Sequence, residues 1–560
     1  ADVPEALAQL LYDKTGGNPL FLVELLAALQ EMGAVKVDTR GQVEYDAAAA
    51  RGKMPDSLRA RYAGEAARLA AAERGILEAA AVLGSPFDPT LLAEVAEEDR
   101  ESLRRRLARL AVRGVIVRTP GGTFRFRHDL LREALYQGMG DEARVVLHGR
   151  AARALAKMPR ASTDPAVLAA TADHYARAGE TGAAIACLER SAEALVAASA
   201  PRAALERYLE AARLAETSDD GSRAAAGRRI NIALQIGLLA APALRVEEGE
   251  RQLELALRLA REQNDAGAET RALLRRGQLR LHAGRFAEAV ADLETVRARA
   301  EAQPRPDLVQ LGQIYGALGD AHERNGDLRL AVEYLERALN TASERSALGE
   351  AGRYLAALGR ASAKLGEPGR AGVHVQEALD LAAQRNDDGL RLRAMSARGI
   401  SELMQGDYAG ALKSFREAFD AARTLDDGDE MAIQEHNMGD MYLRLGNHAR
   451  AYAHLRASYE VAAAAEWDWM LWINLMYLGY LDALRGDMES GIAGIEKALA
   501  RAAELGYVQD LMQGHRLLGD LYRRKGWHAQ AREHLRHALD AARQMHWVPA
   551  ITELEHELAQ

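Results

Sequence analysis

Apolar and small residues recur every three to four positions through most of this chain, with Arg and Glu between them, so nearly every segment reads as an amphipathic helix. In the last half the pattern itself repeats. Within residues 432–465, AIQEHNMGDMYLRLG is followed by NHARAYAHLRASYEVAAAA, with helical spacing on both sides of Gly446. Each period therefore predicts two antiparallel helices around a tight turn. Gly284, Gly326, Gly366, Gly406, Gly446, Gly486 and Gly526 mark the turns; the first step is 42 residues and every later one 40. A glycine there ends the first helix in the left-handed conformation, and an Asn or Asp often follows, as at Asp327, Asp407, Asn447 and Asp487. A second glycine stands seven residues earlier in every period (Gly277, Gly319, Gly359, Gly399, Gly439, Gly479, Gly519). In mid-helix it costs about 1 kcal/mol against Ala, so its recurrence predicts a close approach of the second helix. Ala289, Ala331, Ala371, Ala411, Ala451 and Ala531, with Gly491 in the sixth period, serve the same contact from the other side. A fixed period in this range predicts a solenoid with an extended concave binding surface. Degenerate hairpins around Ala178-Gly179, Ala200-Pro201 and 244–248 extend the array towards residue 160.

Upstream the period vanishes. TGGNPLFLVELL, residues 15–26, is a loop turning into an amphipathic helix, with Pro19 where a missing N–H costs nothing. Residues 34–37 and 43–45 form a candidate β-hairpin. A charged helix over 101–113 ends at Gly114 and leads into the strand 115–117, the turn TPGG and the strand 124–126. Helices followed by such a hairpin make a winged-helix-like unit, and a new helix starts at once with His128 and Asp129.

Composition narrows the function. Aromatics are scarce (5%) and prolines few (14), which favours helix almost everywhere. A net charge of -9 gives no electrostatic reason to expect nucleic acid as the main partner. The lone Cys187 excludes an internal disulfide and the usual multi-cysteine zinc sites. No apolar run approaches the length needed to span a bilayer, and the start has no signal-peptide pattern, so a cytoplasmic protein is expected. The histidines lack metal-ligand grouping in sequence and no nucleophile elbow or acid pair stands out, so no metal and no catalytic residue is expected.

The repeat residues resemble the tetratricopeptide repeat (TPR): a large residue before Gly, a frequent Tyr, the turn Gly, then small residues facing back, as in Leu518-Gly519 with Tyr522 and Met438-Gly439 with Tyr442. Arg398 and Glu402 depart from that pattern. By this analogy the concave side carries Arg353, Arg360 and Lys364 in one repeat and Asp440, Tyr480 and Asp520 further on. Trp467 and Trp469, near an inter-repeat turn, are candidates for a contact surface; aromatic anchors are common hot spots. Solvated helix faces are the plainer alternative for the charged residues.

The N-terminal motifs, in their order and spacing, resemble the STAND class of signal-transduction ATPases, in which a nucleotide-binding domain is followed by a helical lid, a winged helix and a TPR sensor. TGGNPLFLVELL is similar to the lid motif, whose Pro lies against adenine. That role falls to Pro19, with Gly17 and Asn18 shaping its loop. FRFRHDLLREALY resembles the winged-helix motif whose His contacts the β-phosphate of ADP, which places His128 there with Asp129 beside it. Without the resemblance, Pro19 reads as a helix starter and His128 as a helix N-terminal His under the wing.

No Gly-x-x-x-x-Gly-Lys-Ser/Thr loop occurs. The expectation is therefore the C-terminal portion of a larger regulator. It is mainly α: a lid-like segment over 1–60, a winged-helix-like domain over 61–155, degenerate hairpins over 156–262 and a TPR-type right-handed α-solenoid over 263–560. This chain alone is expected to bind no cofactor and to be no enzyme, while the resemblance implies ADP or ATP with Mg for the full-length protein. The expected partner is a protein or peptide in the concave groove, with a small inducer or a second copy as further possibilities. A passive TPR scaffold without nucleotide coupling is one alternative. A DNA-reading winged helix is another, favoured by Arg104, Arg105, Arg106, Arg109 and Arg113 and opposed by the adjacent Glu94, Glu97, Glu98, Asp99 and Glu101.

Overall fold

The computed structural model describes residues 3–15, 22, 23, 26, 29, 30, 34–37, 43–46, 62, 64 and 66–559 except 160, 199, 242, 244, 465 and 466. The chain divides into two compact units, Ala1–Ala225 and Ala226–Gln560.

In the first unit, α1 (Glu5–Thr15) precedes a hairpin of β1 (Val35–Val37) and β2 (Val43–Tyr45), with Lys36 opposite Glu44. Then come α2 (Ala71–Leu83), α3 (Pro89–Val95), α4 (Arg100–Val112), β3 (Ile116–Arg118), β4 (Phe124–Phe126), α5 (Asp129–Gly138) and α6 (Asp141–Ala156). Asp88 and Asp99 start α3 and α4 by accepting from backbone amides that lack helical partners. β3 and β4 pair antiparallel with Ile116 opposite Phe126, and Phe87 adds a bridge to Phe124. Leu77, Leu103, Leu107, Leu110, Ile116, Phe126 and Leu131 share one buried core, so the helices and the hairpin are one packed body. Three helices, α7 (Pro165–Arg177), α8 (Thr181–Ala197) and α9 (Pro201–Thr217), complete the unit.

The second unit is a solenoid. After α10 (Arg223–Ala240) and α11 (Val246–Glu262) come the hairpins α12 (Ala266–His282) with α13 (Phe286–Glu301), α14 (Leu308–Asn325) with α15 (Leu328–Glu344), and α16 (Leu348–Lys364) with α17 (Pro368–Arg385). They continue as α18 (Asp388–Met404) with α19 (Tyr408–Thr424), α20 (Gly428–Arg444) with α21 (His448–Ala464), α22 (Asp468–Leu484) with α23 (Met488–Leu505), and α24 (Val508–Arg524) with α25 (His528–Gln544). α26 (Val548–Ala559) caps the series. The turn glycines are left-handed, as at Gly446 with φ 76°. The mid-helix glycines are contacts: a Cβ on Gly439 would stand 2.6 Å from Leu455 Cγ. A second left-handed register closes five of the second helices, at Ser346, Asn386, Asp426, Gly506 and His546.

The array curls far enough to meet itself. The turn at Gly284 packs on Tyr507 and Trp469, that at Gly326 on Met545 and Val508, and that at Gly366 on Val548. The Trp467 indole donates to His282 Nε2 at 3.2 Å, and Lys364 Nζ donates to Gln509 Oε1 at 3.3 Å. Early hairpin turns thus form a seam with the turns between later hairpins.

Candidate functional site

Behind the seam lies a cavity of about 470 Å³. Its wall is made by the first helices of successive hairpins, which contribute the same register in turn: Gln313, Arg353, Arg393, Ile433 and Ile473. About two to three helical turns further along, α14 supplies Asp320, Glu323 and Arg324, and α16 supplies Arg360 and Lys364. The small residues Gly316, Ala356, Ala357 and Ser396 keep the space open.

Charge in the cavity is organised around Glu323, whose side chain is 3% exposed. Arg360 donates to it through Nε at 2.9 Å and through its terminal nitrogen at 2.7 Å, and Lys364 Nζ donates at 3.0 Å. Burial alone would push the Glu323 carboxyl up, but Arg360 and Lys364 outweigh it and hold it well below the usual range. Burial, with Arg360 beside it, lowers the Lys364 ammonium, which Glu323 partly restores. Asp320 is raised by its enclosure against the pull of Arg360, 3.7 Å away. Its side chain is accessible, but to the cavity.

The rest of the wall carries Arg324, Arg353 and Arg393 with Glu430 and Asp510. Among the described residues, Arg353 and Arg393 make no ion pair or hydrogen bond, and Arg324 lies over the Trp469 ring at 4.4 Å without one. The Tyr507 hydroxyl and Asp510 Oδ2 are buried with no hydrogen-bond partner among the described residues. Burial pushes the Asp510 carboxyl up to about 7 against the attraction of Arg324. Beside it, in an adjoining lobe, burial together with Asp427 and Glu430 raises Asp429 to about 6. A concave wall whose guanidinium groups keep unused donors, with a buried hydroxyl and a carboxylate oxygen unpartnered beside them, is suited to receive polar groups from outside.

Family models for the tetratricopeptide repeat match residues 269–344 and 517–545. These hairpins are TPRs. No curated protein sequence matches the chain. Among solved structures, the Rap conjugation gene regulator of plasmid pLS20, determined in complex with a peptide, is 16% identical with a TM-score of 0.47, over 65% of this chain and 96% of that one. A STAND protein with a TPR sensor from Pyrococcus horikoshii is 14% identical with a TM-score of 0.42, over 90% of this chain and 72% of that one. NprR in complex with its cognate peptide is 17% identical with a TM-score of 0.37, over 52% and 84%.

Within the TPR array the structure gathers Arg353, Arg360, Lys364 and Trp469 at one cavity. Asp440, Tyr480 and Asp520 do not line it. Arg444 donates to Asp440 at 3.1 Å; the Tyr480 hydroxyl donates to Asp520 at 2.6 Å, and Arg523 and Arg524 also hold that carboxylate. Trp467 is a correction: expected on a contact surface, it is 6% exposed and spent on the seam against His282. The grouping of histidines is a second correction, because the fold brings His515, His534 and His537 together across one TPR hairpin. Sequence reasoning also passed over Arg324, Arg393, Tyr507 and Asp510. The register of Lys364 and Arg353 on the neighbouring first helices, forty residues away, is the signal that finds the first two.

In the first unit, Gly17, Asn18 and Pro19 lie outside the described residues. His128 is the cap residue of α5, with its ring 6.2 Å from Tyr62, and Asp129 pairs with Arg132 at 2.6 Å. One imidazole at a helix start, with no glycine-rich phosphate loop in the sequence, does not by itself make a nucleotide site. Among the described residues no helix is long and apolar enough to cross a membrane.

Proposed function

We propose that the TPR array is a sensor that takes a short peptide bearing carboxylate groups into its central cavity. The observation that supports this reading is the combination of Arg353 and Arg393, which make no ion pair or hydrogen bond among the described residues, with the unpartnered Tyr507 hydroxyl in the same wall. The volume falls within the roughly 300–1,000 Å³ typical of small-ligand sites. It suits a few extended residues or a small inducer, and not a folded partner. The free arginines favour carboxylates because a planar guanidinium binds them through two parallel hydrogen bonds.

The finer part of the proposal is coupling. In a longer protein that carries a phosphate-binding loop, occupancy of the array would bias a nucleotide-dependent switch through the first unit, with Pro19 and His128 towards ADP. The chain itself performs no chemistry in this reading. A ligand shifts such an equilibrium only through its differential affinity for the two states.

The test is affinity selection from a pool of short random-sequence peptides on the immobilised chain. Enrichment of acidic peptides, lost in an Arg353→Glu/Arg393→Glu variant, is expected. Equal recovery on both proteins would overturn the peptide reading. Recovery of a small metabolite in place of any peptide would redirect it to an inducer. For the coupling, ADP retention by a protein extended to include a phosphate-binding loop is expected to fall on His128→Ala, and unchanged retention would leave a passive scaffold.

A further inference from the structure

The fold creates one cluster of ligand-competent side chains that the cavity does not use. His534 and His537 lie three residues apart on α25, on neighbouring positions of one helix face. His515 faces them from α24, the antiparallel partner in the same hairpin. His515 Nδ1 and His534 Nδ1 are 2.9 Å apart. The His537 ring stands edge-on to His515 with centroids 5.0 Å apart, and one nitrogen from each ring falls within 4.8 Å of the other two. Tyr522 stacks on His534 at 5.2 Å and is itself fixed by a hydrogen bond to Glu496.

A hydrogen-bonded pair accounts for His515 and His534 but gives His537 nothing to do. Among the described residues it makes no hydrogen bond. Three imidazoles around one point share a more economical purpose, because each can turn a lone pair inward. With metal–nitrogen bonds of about 2.0–2.1 Å, tetrahedral coordination needs nitrogen separations near 3.3 Å, so the 2.9 Å pair must open by a few tenths of an ångström and the His537 ring, on the exposed side, must close in from separations of up to 4.8 Å. All-imidazole donors favour zinc, copper, nickel and cobalt over calcium or magnesium, which take oxygen. Burial and His537 disfavour a proton on His534, which leaves its lone pair available, while Glu533 and Glu496 nearby favour positive charge there.

We propose that His515, His534 and His537 form a three-histidine site for a divalent first-row transition metal, of which Zn²⁺ is the natural occupant. Three protein ligands leave a fourth position open to water, since His537 is on the solvent side. The metal joins α24 to α25 and so clamps the last complete TPR. None of the three residues lines the central cavity, so the site stands independently of the peptide reading.

The full chain, stripped with a chelator, is titrated with Co²⁺ and then with Zn²⁺ in competition. One equivalent of Co²⁺ is expected to give intense visible bands of tetrahedral nitrogen coordination, which Zn²⁺ abolishes. His537→Gln, on the exposed edge where folding is not at risk, is expected to weaken binding by about 100-fold or more. Loss of a direct ligand should exceed the 10–100-fold cost of losing an outer-shell partner. His528→Gln, at the exposed start of the same helix, should bind as the parent does. Zn²⁺ should raise the melting temperature of the parent and not of His537→Gln. Absence of a one-equivalent signal, or identical titrations of parent and His537→Gln, would leave a hydrogen-bonded histidine pair only and overturn the site.

Discussion

Glu323 carries two cations on one buried carboxylate, and that makes it the least replaceable side chain of the cavity wall. Removing one member of a buried ion network leaves the others desolvated without compensation, which costs more than the network itself contributes. Glu323→Gln is therefore expected to destabilise the chain by on the order of 3–5 kcal/mol, read as a drop in melting temperature. A lesser effect of the same kind is expected from Lys364→Met, which removes a charge along with its need for a partner. Asp510 works in the opposite sense. Its carboxyl is raised to about 7, above its ordinary value of 3.8. Between those values the folded state holds more proton than the unfolded one, so stability falls as pH rises from about 4 to 7 and is flat beyond. Asp510→Asn should remove that loss and stabilise the protein by on the order of 2 kcal/mol at pH 8, with little gain at pH 4. Denaturation followed at both pH values checks the sign; an equal effect at both would show that burial does not perturb this carboxyl.

At the scale of the element, each hairpin is specified by two glycines with different duties. Gly439 admits Leu455, so Gly439→Ala should cost about 1–3 kcal/mol through overpacking. Gly372 lies in the exposed interior of α17 with open space where a side chain would go. Gly372→Ala should therefore stabilise by about 0.5–1 kcal/mol. Opposite shifts in melting temperature from the same substitution in two helices are the check. These duties explain what was legible. A turn that needs a left-handed residue is written in glycine, and a close helix approach is written in glycine and alanine, so the repeat appeared at once. The turns between hairpins need the same backbone conformation at the same period but use Ser346, Asn386, Asp426, Gly506 and His546, which share no chemical type that would mark the period in the sequence. Arg353, Arg360 and Lys364 were legible as inward-facing through the TPR resemblance, which ties the concave side to positions counted from the turn glycine. The three-histidine cluster was not, because His515 is separated from the His534-x-x-His537 pair by a whole hairpin turn.

For the second unit as a whole, the decisive feature is one that no local pattern encodes: the seam, which pairs His282 with Trp467 and Met404 with Trp547. A Trp467→Ala/Trp547→Ala double variant should loosen the ring while leaving each hairpin intact. Small-angle scattering is expected to show a larger radius of gyration with unchanged helical circular dichroism. An unaltered radius would mean that hairpin-to-hairpin packing alone sets the curvature. The seam also changes the kind of stability the array has. An open stack of repeats is a sum of nearest-neighbour terms and can fray from either end. Here the last turns support the first, so fraying at one end withdraws support from the other.

The same closure bears on how such a chain can change over generations. Open repeat arrays lengthen or shorten by whole units with little penalty, since a new unit needs only a neighbour on each side. In this molecule the turn at Gly366 must meet Val548 and the turn at Gly284 must meet Tyr507. Inserting or deleting a single hairpin between them would put every later partner out of step. The number of repeats is thus a fixed property of the architecture, and variation should be confined to side chains that face the cavity.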